Sequence, residues 1–324
     1  MKGTISMTDR RSFITGAAGA AGVLALGGCR SLFDETSFYG PTVRDRLWMW
    51  GHHADCAKRA AACLHDAKRE AAFKWPGKTV EQAEGCRLMG IPNDCVIRWC
   101  NLPKYPWGDY FDQFRGLKRI SFGIHDGGRE TTDEKMRIAF EELQPRMPNL
   151  TGCFLDDYFL SKKKDYVPDV RKLGRISEAV HAHGLRLSVV AYADQVGIRP
   201  EFKPHFDLVD EVSFWFWKGS NIPTMADQIR RCREAIGPDK DMLLGLYMWD
   251  FTTAAPVPAD LMRQQLAFAE RFLADRTISG LIFHPTFAAA LDVPAVNLAK
   301  EWIAGRGERT LHDLSLDGTS HRRF

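Results

Sequence analysis

Eight times between residues 46 and 284 the chain repeats one pattern: a short β-branched or aromatic run, a polar loop, then a stretch with helical apolar spacing. The runs cover 46–50, 95–99, 119–124, 150–155, 185–192, 211–217, 242–249 and 278–283. After a longer first interval their ends recur about every 25–37 residues, the cadence of βα units. Between them, Met136, Ala139, Phe140 and Leu143 form one apolar stripe, and Leu173, Ile176 and Val180 another that stops at Gly184. Met262, Leu266, Phe268 and Phe272 mark a third. The first interval has room for two helices, over about 54–73 and 79–89, parted by a break at 74–78. Eight such units predict an α/β fold, a (β/α)8 TIM barrel of eight parallel strands with surrounding helices, over 44–305. An open doubly wound sheet would want a glycine-rich phosphate turn after an early strand, and Gly127-Gly128 lacks the spacing and the following lysine of a P-loop.

The ends of the chain read differently. Arg10-Arg11 followed by Phe13 and Ile14 has the form of a twin-arginine export signal, with 16–26 as an apolar segment too short to span a bilayer. It runs into Leu26-Gly27-Gly28-Cys29, which resembles the bacterial lipobox, whose cysteine is lipidated and becomes the first mature residue. The expectation is a signal peptide over 1–28, lipidation at Cys29, and a periplasmic or cell-surface lipoprotein held to the membrane by that anchor. A linker over 29–43 and a polar C-terminal tail over 306–324 complete the division. A net charge of +3 argues against a nucleic-acid partner, which needs a basic face. With 45% hydrophobic and 26% charged residues the chain is of ordinary globular composition, so disorder is excluded. The other seven cysteines have no CxxC spacing, so no zinc cluster is expected. Cys95, Cys100 and Cys153 belong to apolar runs and suit the core.

In this fold the C-terminal ends of the strands build the active site. That rule gathers His52, His53, Asn101, His125, Asp126, Asp156, Asp157, Asp194, Asp250 and His284 at one mouth, with Trp50, Trp99, Tyr158, Tyr192, Trp215, Trp217, Tyr247 and Trp249 among them. Indole faces stack on the C–H faces of sugar rings, and carboxyl groups handle the glycosidic oxygen. Large rings also fill barrel cores, which is the structural alternative for each of them. Glycoside hydrolysis needs one carboxyl to donate a proton and a second, ionised, as nucleophile or base. Asp157 on strand four and Asp250 on strand seven are the expected catalytic pair. Side chains alternate along a strand, so of Asp156 and Asp157 only one should face the mouth, and Asp157 is the choice. An aspartate before Phe-Thr-Thr also serves to start a loop, which is the alternative for Asp250. The expected substrate contacts are His52, Trp99, Asn101, His125, Asp126, Tyr158, Tyr192, Asp194, Trp217, Trp249 and His284.

On this placement the chain resembles, in architecture, the barrel glycoside hydrolases whose acids sit on strands four and seven. Those enzymes use glutamates, and here both positions are aspartates. The resemblance implies a carbohydrate substrate and a hydrolase with no required cofactor and no metal. Two other readings stand beside it. One is a divalent-metal-dependent sugar isomerase or hydrolase using Asp157, Asp194, His125 and His284. The other is a non-catalytic lipoprotein that binds a glycan through its tryptophans.

Overall fold

A computed structural model describes residues 38–56, 79–99, 101–125, 131–160, 167–193, 199–216 and 218–320. Eight parallel strands close into a barrel: β1 Leu47–Gly51, β2 Asn93–Val96, β3 Arg119–His125, β4 Leu150–Leu155, β5 Arg186–Tyr192, β6 Glu211–Trp215, β7 Asp241–Tyr247 and β10 Gly280–His284. β1 pairs with both β2 and β10, so no sheet edge is left open. A two-residue hairpin, β8 Trp249–Asp250 with β9 Ala255–Pro256, follows β7 on the mouth side. The helices are α1 Gln82–Met89, α2 Gly108–Phe111, α3 Thr132–Arg137, α4 Val170–Ala182, α5 Lys203–Phe206, α6 Met225–Ile236, α7 Ala259–Ala274, α8 Pro294–Arg306 and α9 Leu311–Ser320. The first helix expected from sequence, over about 54–73, lies mostly outside the described residues.

Local chemistry explains where the elements start and stop. Thr131 and Glu134 form a reciprocal capping box at α3. Asp169 caps α4 by accepting from the Arg171 amide, and Leu173, Ile176, Ser177 and Val180 form its buried stripe. β2, β6 and β7 end earlier than their apolar runs suggest, and for two of them the reason is local. β2 stops at Val96 because Trp99 and Leu102 exchange both backbone hydrogen bonds, closing a turn through Asn101 at φ 59°. β7 stops at Tyr247 because the Gln265 side chain of α7 takes both of that residue's backbone groups, at 3.2 and 3.1 Å. Trp249 and Asp250 therefore belong to the hairpin and not to a barrel strand.

The barrel interior is built from large rings set against glycines. Trp50 of β1 lies 4.8 Å from Phe154 of β4 and 5.1 Å from Trp215 of β6, distances that only side chains pointing at the barrel axis can reach. Trp215 occupies the space beside Gly245, where a Cβ would stand 2.0 Å from its ring. The core-filling alternative thus holds for Trp50 and Trp215. Such tilted ring pairs add about 0.5–1.5 kcal/mol each beyond burial.

The end opposite the mouth is closed by the chain's own N-terminal side. Tyr39 is buried and its hydroxyl donates to Glu211 at the start of β6. The Arg119 and Arg186 guanidiniums lie over Phe38 at 5.0 and 4.6 Å, and Arg186 pairs with Asp241 at 2.5 Å. Val43 and Arg44 donate backbone bonds to Arg309 and Gly307. The described part of the expected linker is therefore a plug, because its two rings find an aromatic and cationic seat under the barrel. The expected polar tail differs in the same way. α9 forms within it, and Leu311 and Leu314 are buried.

Candidate active site

The mouth has a floor of rings and a rim of carboxylates. His284, at the end of β10, lies 5.0 Å from Tyr247, 5.2 Å from Phe251, 5.6 Å from His52 and 5.7 Å from Trp215. Trp99 meets His52 edge-on at 5.8 Å. Burial disfavours charged imidazole, pushing His52 down to about 4 and His284 well below its ordinary value, so both rings are neutral at pH 7. His52 Nδ1, His284 Nδ1 and Trp215 Nε1 are buried polar atoms with no hydrogen-bond partner among the described residues.

Asp157 stands on the rim, exposed, at the end of β4. Strict alternation past Phe154 would aim Asp156 at the axis. Asp157 instead adopts the left-handed conformation, φ 52°, and its Oδ1 accepts a 2.7 Å hydrogen bond from the Tyr192 hydroxyl at the end of β5. The Tyr247 phenol is pushed up first by burial and then by the charges of Asp157, Asp156 and Asp250. Tyr192 is raised by burial, then by Tyr247, Asp157 and Asp156.

Asp250 is 7% exposed and is held by its own loop. Its Oδ1 accepts from the Thr252 amide at 2.7 Å and the Thr252 hydroxyl at 2.6 Å. Among the described residues its Oδ2 accepts from the Gly219 amide alone, at 3.2 Å. A Cβ at Gly219 would stand 2.7 Å from that oxygen, so the glycine is what permits the approach. The loop-starting alternative for Asp250 is present at Oδ1, while among the described residues Oδ2 keeps spare lone-pair capacity.

The other expected contacts divide. His125 is half-buried, with Nδ1 bonded to the Thr132 hydroxyl at 3.2 Å; burial and then Lys135 and Lys172 lower its basicity. Tyr158 turns away from the floor, edge-on to His125 and Phe159 and 6.3 Å from His205 of α5. Trp249 is 2% exposed and packs edge-on against Phe287, in the wall of the hairpin. Asn101 sits in the Trp99–Leu102 turn that follows β2. Asp126, Asp194, Trp217 and the lipidation residue Cys29 lie outside the described residues. Among the described residues no three His, Cys, Asp or Glu side chains gather as metal ligands would. Sequence reasoning passed over Thr252 and Gly219. The Asp-x-Thr spacing at 250–252 is a signal for the first, and nothing in sequence links the second to Asp250.

No family model matches this chain, and no curated protein matches it by sequence. Solved structures do match. An alpha-L-fucosidase candidate of Bacteroides thetaiotaomicron superimposes with TM-score 0.52 at 11% identity, covering 83% of this chain and 98% of its own. A GH128 endo-beta-1,3-glucanase of Amycolatopsis mediterranei gives TM-score 0.42 at 12% identity, over 68% and 92%. Tryptophan synthase of M. tuberculosis gives 0.42 at 9%, over 86% and 97%. At these identities the likeness is one of fold alone.

Proposed function

We propose that the protein is an exported, lipid-anchored glycoside hydrolase, with Asp157 as the proton-donating carboxyl and Asp250 as the second carboxylate, acting through Oδ2. What supports this reading is that Asp157, bonded to the Tyr192 hydroxyl, and Asp250, bonded to Thr252 and the Gly219 amide, both stand past the ends of barrel strands on the side where the rings of Tyr247, Trp215 and His284 make a floor. A rim acid open to solvent can exchange its proton with water between turnovers. A second acid fixed by Thr252 and Gly219 would not need to reorganise during reaction. The buried donors and acceptors of His52, His284 and Trp215 suit the hydroxyl groups of a sugar. Barrel architecture shared with the alpha-L-fucosidase candidate agrees with this at the level of scaffold only. Export and anchoring rest on the twin-arginine and lipobox residues.

The test is turnover on a panel of aryl glycosides, with an aryl alpha-L-fucoside included, by wild type, Asp157→Asn, Asp250→Asn and Asp156→Asn. Loss of about 10²–10⁴-fold in kcat for the first two variants, with folding intact by circular dichroism, is the expected result. Full activity in both would sink the pair. The hold of Thr252 on Asp250 favours one second reading, a glycan-binding barrel without turnover. Glycan affinity unchanged by Asp157→Asn, with no hydrolysis by wild type, would establish it.

A further inference from the structure

The point at which the chain enters the barrel fixes which way the mouth can face. Phe38 and Tyr39 are seated beneath the barrel, at the N-terminal ends of β3, β5 and β6, opposite the carboxylates. Tyr39 is 1% exposed and bonded to Glu211, so this end of the tether is fastened to the folded body. Cys29 lies nine residues before Phe38. Fully extended, nine residues reach about 30 Å. A folded chain of this size has a radius of gyration of about 19 Å, which makes a body roughly 50 Å across. For the mouth to touch the bilayer, the plug would have to ride about 50 Å above it, and the tether would also have to pass around the barrel. Nine residues fall well short.

From this geometry we infer that the protein stands on the membrane with the plugged end of its barrel toward the lipid and its mouth turned away. The glycan it takes is then soluble or wall-borne, not one carried on a lipid of the same leaflet. This rests on the anchoring reading given above, with Cys29 as the lipid-bearing residue. It adds what that reading leaves open, the accessible side of the site and the class of substrate that can reach it.

Two labelled forms of the full-length lipidated protein test it, reconstituted in phosphatidylethanolamine–phosphatidylglycerol vesicles that carry a headgroup-attached quencher. One bears a fluorophore at Asp239→Cys, exposed just before β7 on the plugged side; the other at Thr253→Cys, exposed in the hairpin on the mouth side. The described native cysteines are all buried, and labelling of the unsubstituted protein gives the background. The Asp239 label should be quenched several-fold more than the Thr253 label. A 20-residue Gly/Ser insertion after Cys29 should raise Thr253 quenching, since length alone then permits the body to turn. Equal or stronger quenching at Thr253 in the native-length protein overturns the orientation, as does an insertion without effect. Quenching of both labels that survives Cys29→Ala, or absence of lipid on the mature N-terminus by mass spectrometry, overturns the anchor instead. The two failures are thereby told apart.

Discussion

Asp157 follows the end of β4 and Asp250 sits in the hairpin after β7, and their unlike surroundings mean that one isosteric substitution should tell on them differently. Asp157 is exposed and meets the Tyr192 hydroxyl at 2.7 Å. Its replacement by Asn removes the acid but keeps the shape and an oxygen that can accept from Tyr192, so stability should stay within about 0.5 kcal/mol of wild type. Asp250 is buried with three donors pointed at it. In Asp250→Asn the amide oxygen can serve Thr252 only by turning its NH2 toward the Gly219 N–H, donor against donor. That should cost about 1–3 kcal/mol in urea unfolding. Equal stability of the two variants would remove the loop-holding part of the Asp250 argument. Tyr192→Phe tests positioning. Losing the hydrogen bond that steadies the carboxylate formed as Asp157 gives up its proton, worth about 1.5–3 kcal/mol, should lower kcat by roughly 10–100-fold and leave KM nearly unchanged. A rise in KM at constant kcat would instead make Tyr192 a contact for bound substrate.

At the scale of strands and helices, ring size on one strand is matched by glycine on another. Gly245 of β7 gives up its side chain so that Trp215 of β6 can lie across it. Gly245→Ala should therefore overpack the barrel, lowering stability by at least about 1–3 kcal/mol and displacing Trp215 from Tyr247 and His284. Thermal unfolding and near-ultraviolet dichroism would register both, and an unchanged spectrum would mean that the indole has another seat. This pairing also marks where sequence reading stops. β4 is legible to the residue over Leu150–Leu155, because its apolar run is bounded by turn residues on both sides. The α4 stripe and its stop at Gly184 are legible for the same local reason. The ends of β2 and β7 are not, since aromatic residues run past both ends and the partners that stop them, Leu102 and Gln265, act through a turn and from a distant helix. Strand-end position singles out Asp157 as a candidate, whereas its bond from Tyr192 depends on a left-handed turn that no spacing rule encodes.

Over the whole molecule, titratable groups are buried at both ends of the barrel, and they pull stability in opposite directions as the solution is acidified. At the plugged end Glu211 faces Tyr39, Ser188, Arg186 and Asp241, and burial lifts its carboxyl from 4.5 to about 6. An acid whose folded value is raised favours folding below its unfolded value, and that contribution is lost as pH rises through 6. At about 1.36 kcal/mol per unit, Glu211 should add roughly 2 kcal/mol as pH falls from 7 to 4.5. At the mouth His52, packed among the rings of Trp99 and His284, is a base whose folded value is depressed from 6.5 to about 4. Its contribution is complete above 6.5 and lost as pH falls toward 4, on the order of 3 kcal/mol. His284 is shifted the same way, by burial and by His52. Against Glu211 and Asp94, both raised by burial, stand His52, His284 and His125, all lowered by it, and the carboxyls of Asp45 and Asp210, held low by hydrogen bonds, so stability should decline between pH 6.5 and 4. His52→Gln should flatten that decline and Glu211→Gln should steepen it. Urea denaturation at half-unit pH steps checks both slopes, and a Glu211→Gln variant that flattens the decline would reverse the assignment of the two ends.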